Sequence, residues 1–292
     1  MNAMTNAGGR IPATIELAPK QALENEELAE IVRGGTSAYL TDLGTGDDDE
    51  TVAAARRLRD LGLEPVPHIA SRRLTSREAL FSRVERLVGE AGVRDVLVIG
   101  GGLDAPAGEF TSSHDVIATG VLEKNGITRV GIAGHPEGSP DFSPEVAMDA
   151  LRLKRNYAAQ NGLEMRIVTQ FGFDPKGMVE WVRGLADHGV DLPVHLGVAG
   201  PATLKTLLRY AAFCGVGPSM SFLKKNALKI ANLATTQSPE TVVGPIEDAW
   251  REGAGALAGM HVFPFGGLAK SSTWLHERGS WGAPARGAVA AE

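Results

Sequence analysis

Eight apolar, β-rich runs recur along this 292-residue chain, and between them lie stretches with the apolar period of a helix. The runs are Ala13 to Ala18, Ser37 to Leu43, Glu64 to Ala70, Asp95 to Gly100, Arg129 to Gly134, Met165 to Phe171, Pro193 to Val198 and Leu257 to Phe263. The amphipathic stretches include Asp49 to Leu61, Ser76 to Glu90, Ser143 to Gln160, Asp174 to His188 and Pro201 to Phe213, with helix-start residues at Ser76, Ser143, Asp174 and Pro201. Eight strand-helix units in a chain of this length fit a (β/α)8 barrel better than a six-stranded open sheet. Near-continuous apolar runs such as Val96-Leu-Val-Ile99 suit parallel strands buried on both faces.

The expected organisation is therefore an α/β TIM barrel in a single domain over residues 12–280, with a flexible N-terminus at 1–11 and a flexible tail at 281–292. The least regular stretch, Gly215 to Val243, is expected to hold an extra helical excursion at Ser221 to Leu233. Its apolar residues suit a homo-oligomer contact and a pocket wall equally well.

The formal charge of -6 is mild and the basic residues are scattered, so the electrostatic footprint of a nucleic-acid binder is missing. No apolar run approaches the roughly 20 residues that cross a bilayer, and no signal-peptide core precedes the first strand. The one cysteine, Cys214, lies in an apolar run and reads as a buried structural thiol. A lone thiol without a disulfide fits a cytoplasmic protein. A small-molecule partner is the expectation.

In a parallel barrel, ligands bind at the carboxyl ends of the strands, so polar residues gathered there are candidates for chemistry. Two segments some thirty residues apart stand out: Gly131-Ile-Ala-Gly-His-Pro-Glu-Gly-Ser-Pro-Asp141 and Val168-Thr-Gln-Phe-Gly-Phe-Asp174. The same mouth collects Glu16, Asp42, His68, Gly100 to Gly102, His195 and Phe265. Glu16, flanked by Ile15 and Leu17, is expected to be desolvated, with a raised pKa that suits a proton donor; an ion pair with Lys20 or with a basic residue of the barrel is the equal alternative. His68 and His195, taken singly, read more readily as hydrogen-bonded core histidines. No paired His or Cys spacing points to a metal. Gly100-Gly-Gly102 permits close backbone approach, but Leu103-Asp-Ala-Pro106 follows where a nucleotide-binding helix would begin.

Taken in order, these segments resemble the methylenetetrahydrofolate reductase family, flavoenzymes built on a (β/α)8 barrel. Ile15-Glu-Leu-Ala-Pro19, Pro67-His68, Ala133-Gly-His-Pro-Glu-Gly-Ser-Pro140, Leu153-Lys-Arg155 and Val168-Thr-Gln-Phe-Gly-Phe-Asp174 carry the likeness, which spans about residues 12 to 278. It implies an oxidoreductase that interconverts 5,10-methylenetetrahydrofolate and 5-methyltetrahydrofolate by hydride transfer, with FAD as carrier and NAD(P)H as the outer partner. Glu16 takes the position of the acid that protonates the departing ring nitrogen, Gln170 that of the amide holding the pterin, and Phe265 lines the substrate side. FAD contacts map onto His68, Gly101, Gly102, Ser112, Ser113, His135, Glu137, Ser139, Asp149 and Arg155, the last as a diphosphate partner.

The departures cluster on the flavin. A family aspartate is Gly102 here, with Asp104 two residues on; a tyrosine is His135, a histidine is Ser139 and a lysine is Asn156. The resemblance thus leaves room for a flavin-independent member that uses NAD(P)H alone. A non-redox folate-binding partner of a methyltransferase would keep Gln170 without needing Glu16. A Schiff-base lyase is disfavoured, because no lysine stands at the end of a strand.

Overall fold

The computed structural model describes residues 9–42, 44, 48–214 and 235–281. Eight parallel strands close on themselves: β1 (Ala13–Leu17), β2 (Ser37–Leu40), β3 (Glu64–Ala70), β4 (Asp95–Ile99), β5 (Arg129–Gly134), β6 (Glu164–Phe171), β7 (Val194–Ala199) and β8 (Leu257–Phe263). β1 pairs with β2 on one side, Glu16 beside Tyr39, and with β8 on the other, Thr14 beside His261. The expected barrel is what forms.

Several boundaries move. The second strand ends at Leu40, and the helix expected from Pro201 starts at Leu204, after Ala202–Thr203 pairs antiparallel with Thr236–Gln237. Thr203 caps that helix by accepting from the Thr206 amide at 3.2 Å. Ser76 and Ser143 cap theirs as expected. The stretch expected as one helix to His188 breaks into Pro175–Gly184 and a short 3-10 turn. Residues 221–233, where an extra helix is expected, lie outside the described residues.

Arg10, Ile11 and Trp281, which fall in the stretches expected to be flexible, are tied down. Ile11 is fully buried and its amide donates to Glu247 Oε1 at 2.8 Å, while Arg10 and Arg278 pair with the other oxygen of that carboxylate. Trp281, expected to open the tail, is buried and donates its indole N–H to the Ala13 carbonyl. An aromatic ring and a shared carboxylate thus close the amino-terminal end of the cylinder.

Aliphatic side chains on the outer faces of the strands pack under the helices and make the main core. The lumen is different. Tyr39, Val66, Leu97 and Val168 form a small separate apolar cluster, and around it the cylinder is filled with polar groups. Arg166 on β6 reaches across to Tyr39 on β2, its Nη2 2.6 Å from the hydroxyl, and to Asp95 on β4 at 2.9 Å. Small residues stand beside these large ones: Gly131 is in register with Arg166, and Gly197 with His261.

The strand that carries Gln170 is irregular for a purpose. Pairing between β6 and β7 slips between Val168 and Phe171, and the bulge turns the chain at Thr169 and Gln170. Gly197 makes this possible, since a Cβ there would lie 2.4 Å from the Thr169 carbonyl oxygen and 2.7 Å from Gln170 backbone atoms. Gly197→Ala is expected to cost roughly 1 to 3 kcal/mol by overpacking and to dislodge Gln170. Chemical denaturation and folate affinity, measured together, check this; an unchanged variant would mean that the bulge is soft.

Candidate active site

The strand ends bring a carboxylate and two imidazoles together inside the cylinder. Glu16 Oε2 lies 3.6 Å from His68 Nε2 and 3.5 Å from His261 Nε2. Residues on β1 and β3 are two strands apart, so they can meet only in the lumen. Glu16 keeps 16% of its side-chain surface, His68 7% and His261 none, so the carboxylate edge faces the mouth while the rings are sealed behind it. Lys20, one of the expected alternative partners, instead pairs with Glu24 on the surface at 3.7 Å, and the barrel's own histidines take its place.

The electrostatics correct one expectation. Burial pushes the Glu16 carboxyl up, as the flanking isoleucine and leucine suggest, but the close approach and charge of His261 and His68 outweigh it. The net shift is downward, and Glu16 rests as a carboxylate. Neither imidazole neighbour was legible as such, because His261 lies over two hundred residues away. His68 is lowered, first by burial and then, against the pull of Glu16, by His261. Below this cluster, His195 is pushed down to about 3 by burial, with Arg166 and His261 adding to the effect. It is a core histidine as expected, but its buried Nδ1 lacks, among the described residues, the hydrogen-bond partner that the expectation included.

Aromatic rings join this cluster to the bulge. His261 packs on Phe263 with centroids 4.9 Å apart, Phe263 on Phe171 at 5.5 Å, and Phe171 on Phe265 at 4.8 Å. Phe265 in turn stacks on Tyr210 at 4.0 Å. Phe171 directly follows Gln170, whose Oε1 accepts from the Phe171 amide at 3.1 Å. Rings of β8 and β6 thus run from His261 to the residue that follows Gln170. Cys214, at the end of the Tyr210 helix, is raised to about 11, mainly by burial and further by Glu16, so it is held as a thiol.

A sequence profile described as methylenetetrahydrofolate reductase matches residues 17–236. The chain belongs to that family. The matched stretch starts one residue after Glu16 and stops short of β8. "Methylenetetrahydrofolate reductase 1" of Schizosaccharomyces pombe is 28% identical over 141 residues, covering 46% of this chain and 23% of that protein. The chain thus aligns with about a quarter of the length of its curated relative. Among solved structures, dihydropteroate synthase from Thermus thermophilus is similar over 91% of this chain and 92% of that one, at 12% identity and a TM-score of 0.47.

Apart from His68, which stands beside Glu16, the residues that the family resemblance assigns to FAD separate into two groups. Gly101 and Gly102 adopt φ of 99° and 64°, and their loop is pinned from below by Arg73, which donates to the Gly101 carbonyl at 3.1 Å, and by Arg72, which reaches the Leu103 and Thr111 carbonyls. His135 packs edge-on against Phe142 and, with Ser139, Met148 and Trp181, lines a cavity of about 120 Å³. Ser112 and Asp115 form a reciprocal cap at the start of a short helix. Ser113 accepts from Lys154 Nζ at 3.0 Å.

The other group is engaged elsewhere. Arg155 forks onto Asp191 at 2.7 and 2.9 Å, just ahead of β7 and so at the closed end of the cylinder. Asp149 pairs with Arg152 on the exposed side of its helix. Glu137 accepts from the Phe173 amide at 3.3 Å and braces the loop after β6. Arg155 is thus held away from the mouth.

Lys154, the neighbour of Arg155, is the cation that the sequence reading overlooked. It is 5% exposed, hydrogen-bonded to a neutral hydroxyl, and has no carboxylate within ion-pair distance among the described residues. Burial lowers it to about 8. It faces inward on the helix Pro144–Asn161, about two turns from the cavity residues Ala147 and Met148. Burying an ammonium without a counterion is costly, and the lowered value of Lys154 reflects that cost. The missed signal was the inward helical face shared by Ala147, Leu151, Lys154 and Ala158.

Among the described residues, no helix is long and apolar enough to cross a membrane.

Proposed function

We propose that this barrel is a methylenetetrahydrofolate reductase-like oxidoreductase, interconverting 5,10-methylenetetrahydrofolate and 5-methyltetrahydrofolate, with FAD between NAD(P)H and folate. The reading rests on Glu16: a carboxyl group at the mouth, backed by two imidazoles and joined through edge-to-face rings to the bulge that carries Gln170. The methylene carbon becomes an electrophilic iminium only when one ring nitrogen departs protonated, and Glu16 is the group that delivers this proton. Gln170 offers both a donor and an acceptor, which matches the mixed edge of a pterin. Phe171, Phe263 and Phe265 supply an apolar wall that keeps water from the iminium.

Bound FAD would carry the hydride between nicotinamide and the substrate carbon. Lys154 with Ser113 would hold its diphosphate, and the Gly101–Gly102 loop and the His135 cavity would receive the rest. The barrel of residues 12–280 is read as the catalytic domain of a cytoplasmic enzyme of one-carbon metabolism.

The purified protein is expected to be yellow, to release FAD on denaturation, and to oxidise 5-methyltetrahydrofolate with an artificial acceptor. A colourless protein that reduces methylenetetrahydrofolate with NADH or NADPH would select the flavin-independent reading, which the engagement of Arg155 by Asp191 favours. Folate binding without turnover under either condition would leave only the carrier.

A further inference from the structure

Residues 192–239 contain neither Asp nor Glu, in a chain whose acids outnumber its bases 35 to 29. The described part of that stretch includes the helix Leu204–Phe213, where Lys205 and Arg209 stand four residues apart and so share one exposed face. Neither has a carboxylate within ion-pair distance among the described residues, and residues 215–234 can supply none, because they hold no acid. Several exposed cations elsewhere are paired, as Lys20 is with Glu24, Lys176 with Glu180 and Arg183 with Glu252. This face keeps its positive charge uncompensated.

The same face stands at the outer end of a file of rings. Arg209 Cζ lies 5.2 Å from the centre of the Tyr210 ring, and Tyr210 stacks on Phe265 at 4.0 Å with the planes 12° apart. Phe265 in turn stacks on Phe263 at 5.7 Å and 27°, and Phe263 meets His261, the neighbour of Glu16, at 4.9 Å. The far end of the helix is near the acid too: burial raises the Cys214 thiol, and the charge of Glu16 raises it further. The file thus runs from the buried carboxylate to an exposed guanidinium. A folate presents its groups in the same order, a pterin, then a benzene ring, then the carboxylates of glutamate.

We propose that Lys205 and Arg209 receive the carboxylates of the glutamate tail, so that the barrel binds folates carrying several γ-linked glutamates in preference to the monoglutamate. This rests on the folate reading of the site. The diphosphate of a nicotinamide nucleotide is the competing anion, but no benzene ring stands between it and the nicotinamide, whereas a folate has one to lay along the file. Each further γ-linked glutamate adds one carboxylate. A single exposed ion pair is weak and screened by salt, so the preference comes from several carboxylates sharing two cations.

Equilibrium binding of 5-methyltetrahydrofolate as the monoglutamate and as the pentaglutamate tests this. The wild type is expected to bind the pentaglutamate about tenfold more tightly at low salt, and the ratio to fall to about two at high salt. Combining Lys205→Gln with Arg209→Gln is expected to bring the ratio to about two at low salt. Lys176→Gln, which removes an exposed cation elsewhere, is expected to keep the wild-type ratio.

A wild-type ratio near one would overturn the tail site while turnover of the monoglutamate still upheld the reductase. A ratio that survives the double substitution would likewise overturn it, and a double variant that weakens only NADH or NADPH would give the two cations to the nucleotide instead. If the tail preference appears as expected in a protein with no reductase activity, the tail site stands and the proposed function falls. If neither folate binds, both fall.

Discussion

Glu16→Gln is expected to lower turnover on the order of a thousandfold while folate binding stays within a few fold. Removal of a positioned general acid generally costs a factor of about 10² to 10⁴. Glutamine keeps the size of the side chain and an oxygen towards the lumen, so the packing of His68 and His261 against it survives. What is lost is the ability to hold and release a proton. Steady-state kinetics in both directions, paired with equilibrium binding of 5-methyltetrahydrofolate, would check this. Equal losses of kcat and of affinity would mean that Glu16 binds rather than protonates, and unchanged kcat would remove the acid from the mechanism. The reverse reaction gives a further check. There Glu16 must accept a proton, and a resting carboxylate, lowered by its two imidazoles, already has the right form.

The fold was legible because strand and helix periods alternate eight times, and no other closed architecture uses that pattern. The positions of Glu16 and Gln170 were legible as well, because their motifs lie on strand ends, where a barrel puts its chemistry. Three features were hidden for a common reason: each depends on which strands face each other across the lumen. The sign of the Glu16 shift could not be read from Ile15 and Leu17, since His261 and His68 reach it from β8 and β3. The Tyr39, Arg166 and Asp95 network crosses the cylinder from three strands. Likewise, nothing local to Arg155 reveals that Asp191 holds it, or that the next residue back points inward without a partner of opposite charge.

That inward residue yields the second large effect. Lys154→Met is expected to stabilise the ligand-free protein at pH 7 by about 3 kcal/mol, because burial holds the lysine at about 8 against an unfolded value of 10.5 and each unit corresponds to roughly 1.4 kcal/mol. Between about pH 8 and 10.5 the unfolded chain binds the proton that the folded chain has released, so wild-type stability should rise with pH across that window. Methionine has nothing to titrate, and the variant should lack the rise. Denaturant unfolding at pH 7 and pH 10, with flavin removed, measures both. In the loaded protein the sign reverses: with a diphosphate against Lys154 the ammonium gains its counterion, and the variant should bind FAD more than tenfold more weakly than the wild type. A substitution that stabilises the empty protein yet weakens the loaded one is the signature of a charge kept for a ligand. If Lys154→Met were destabilising in both states, the lysine would be a structural strut on Ser113, and the flavin diphosphate would need another cation.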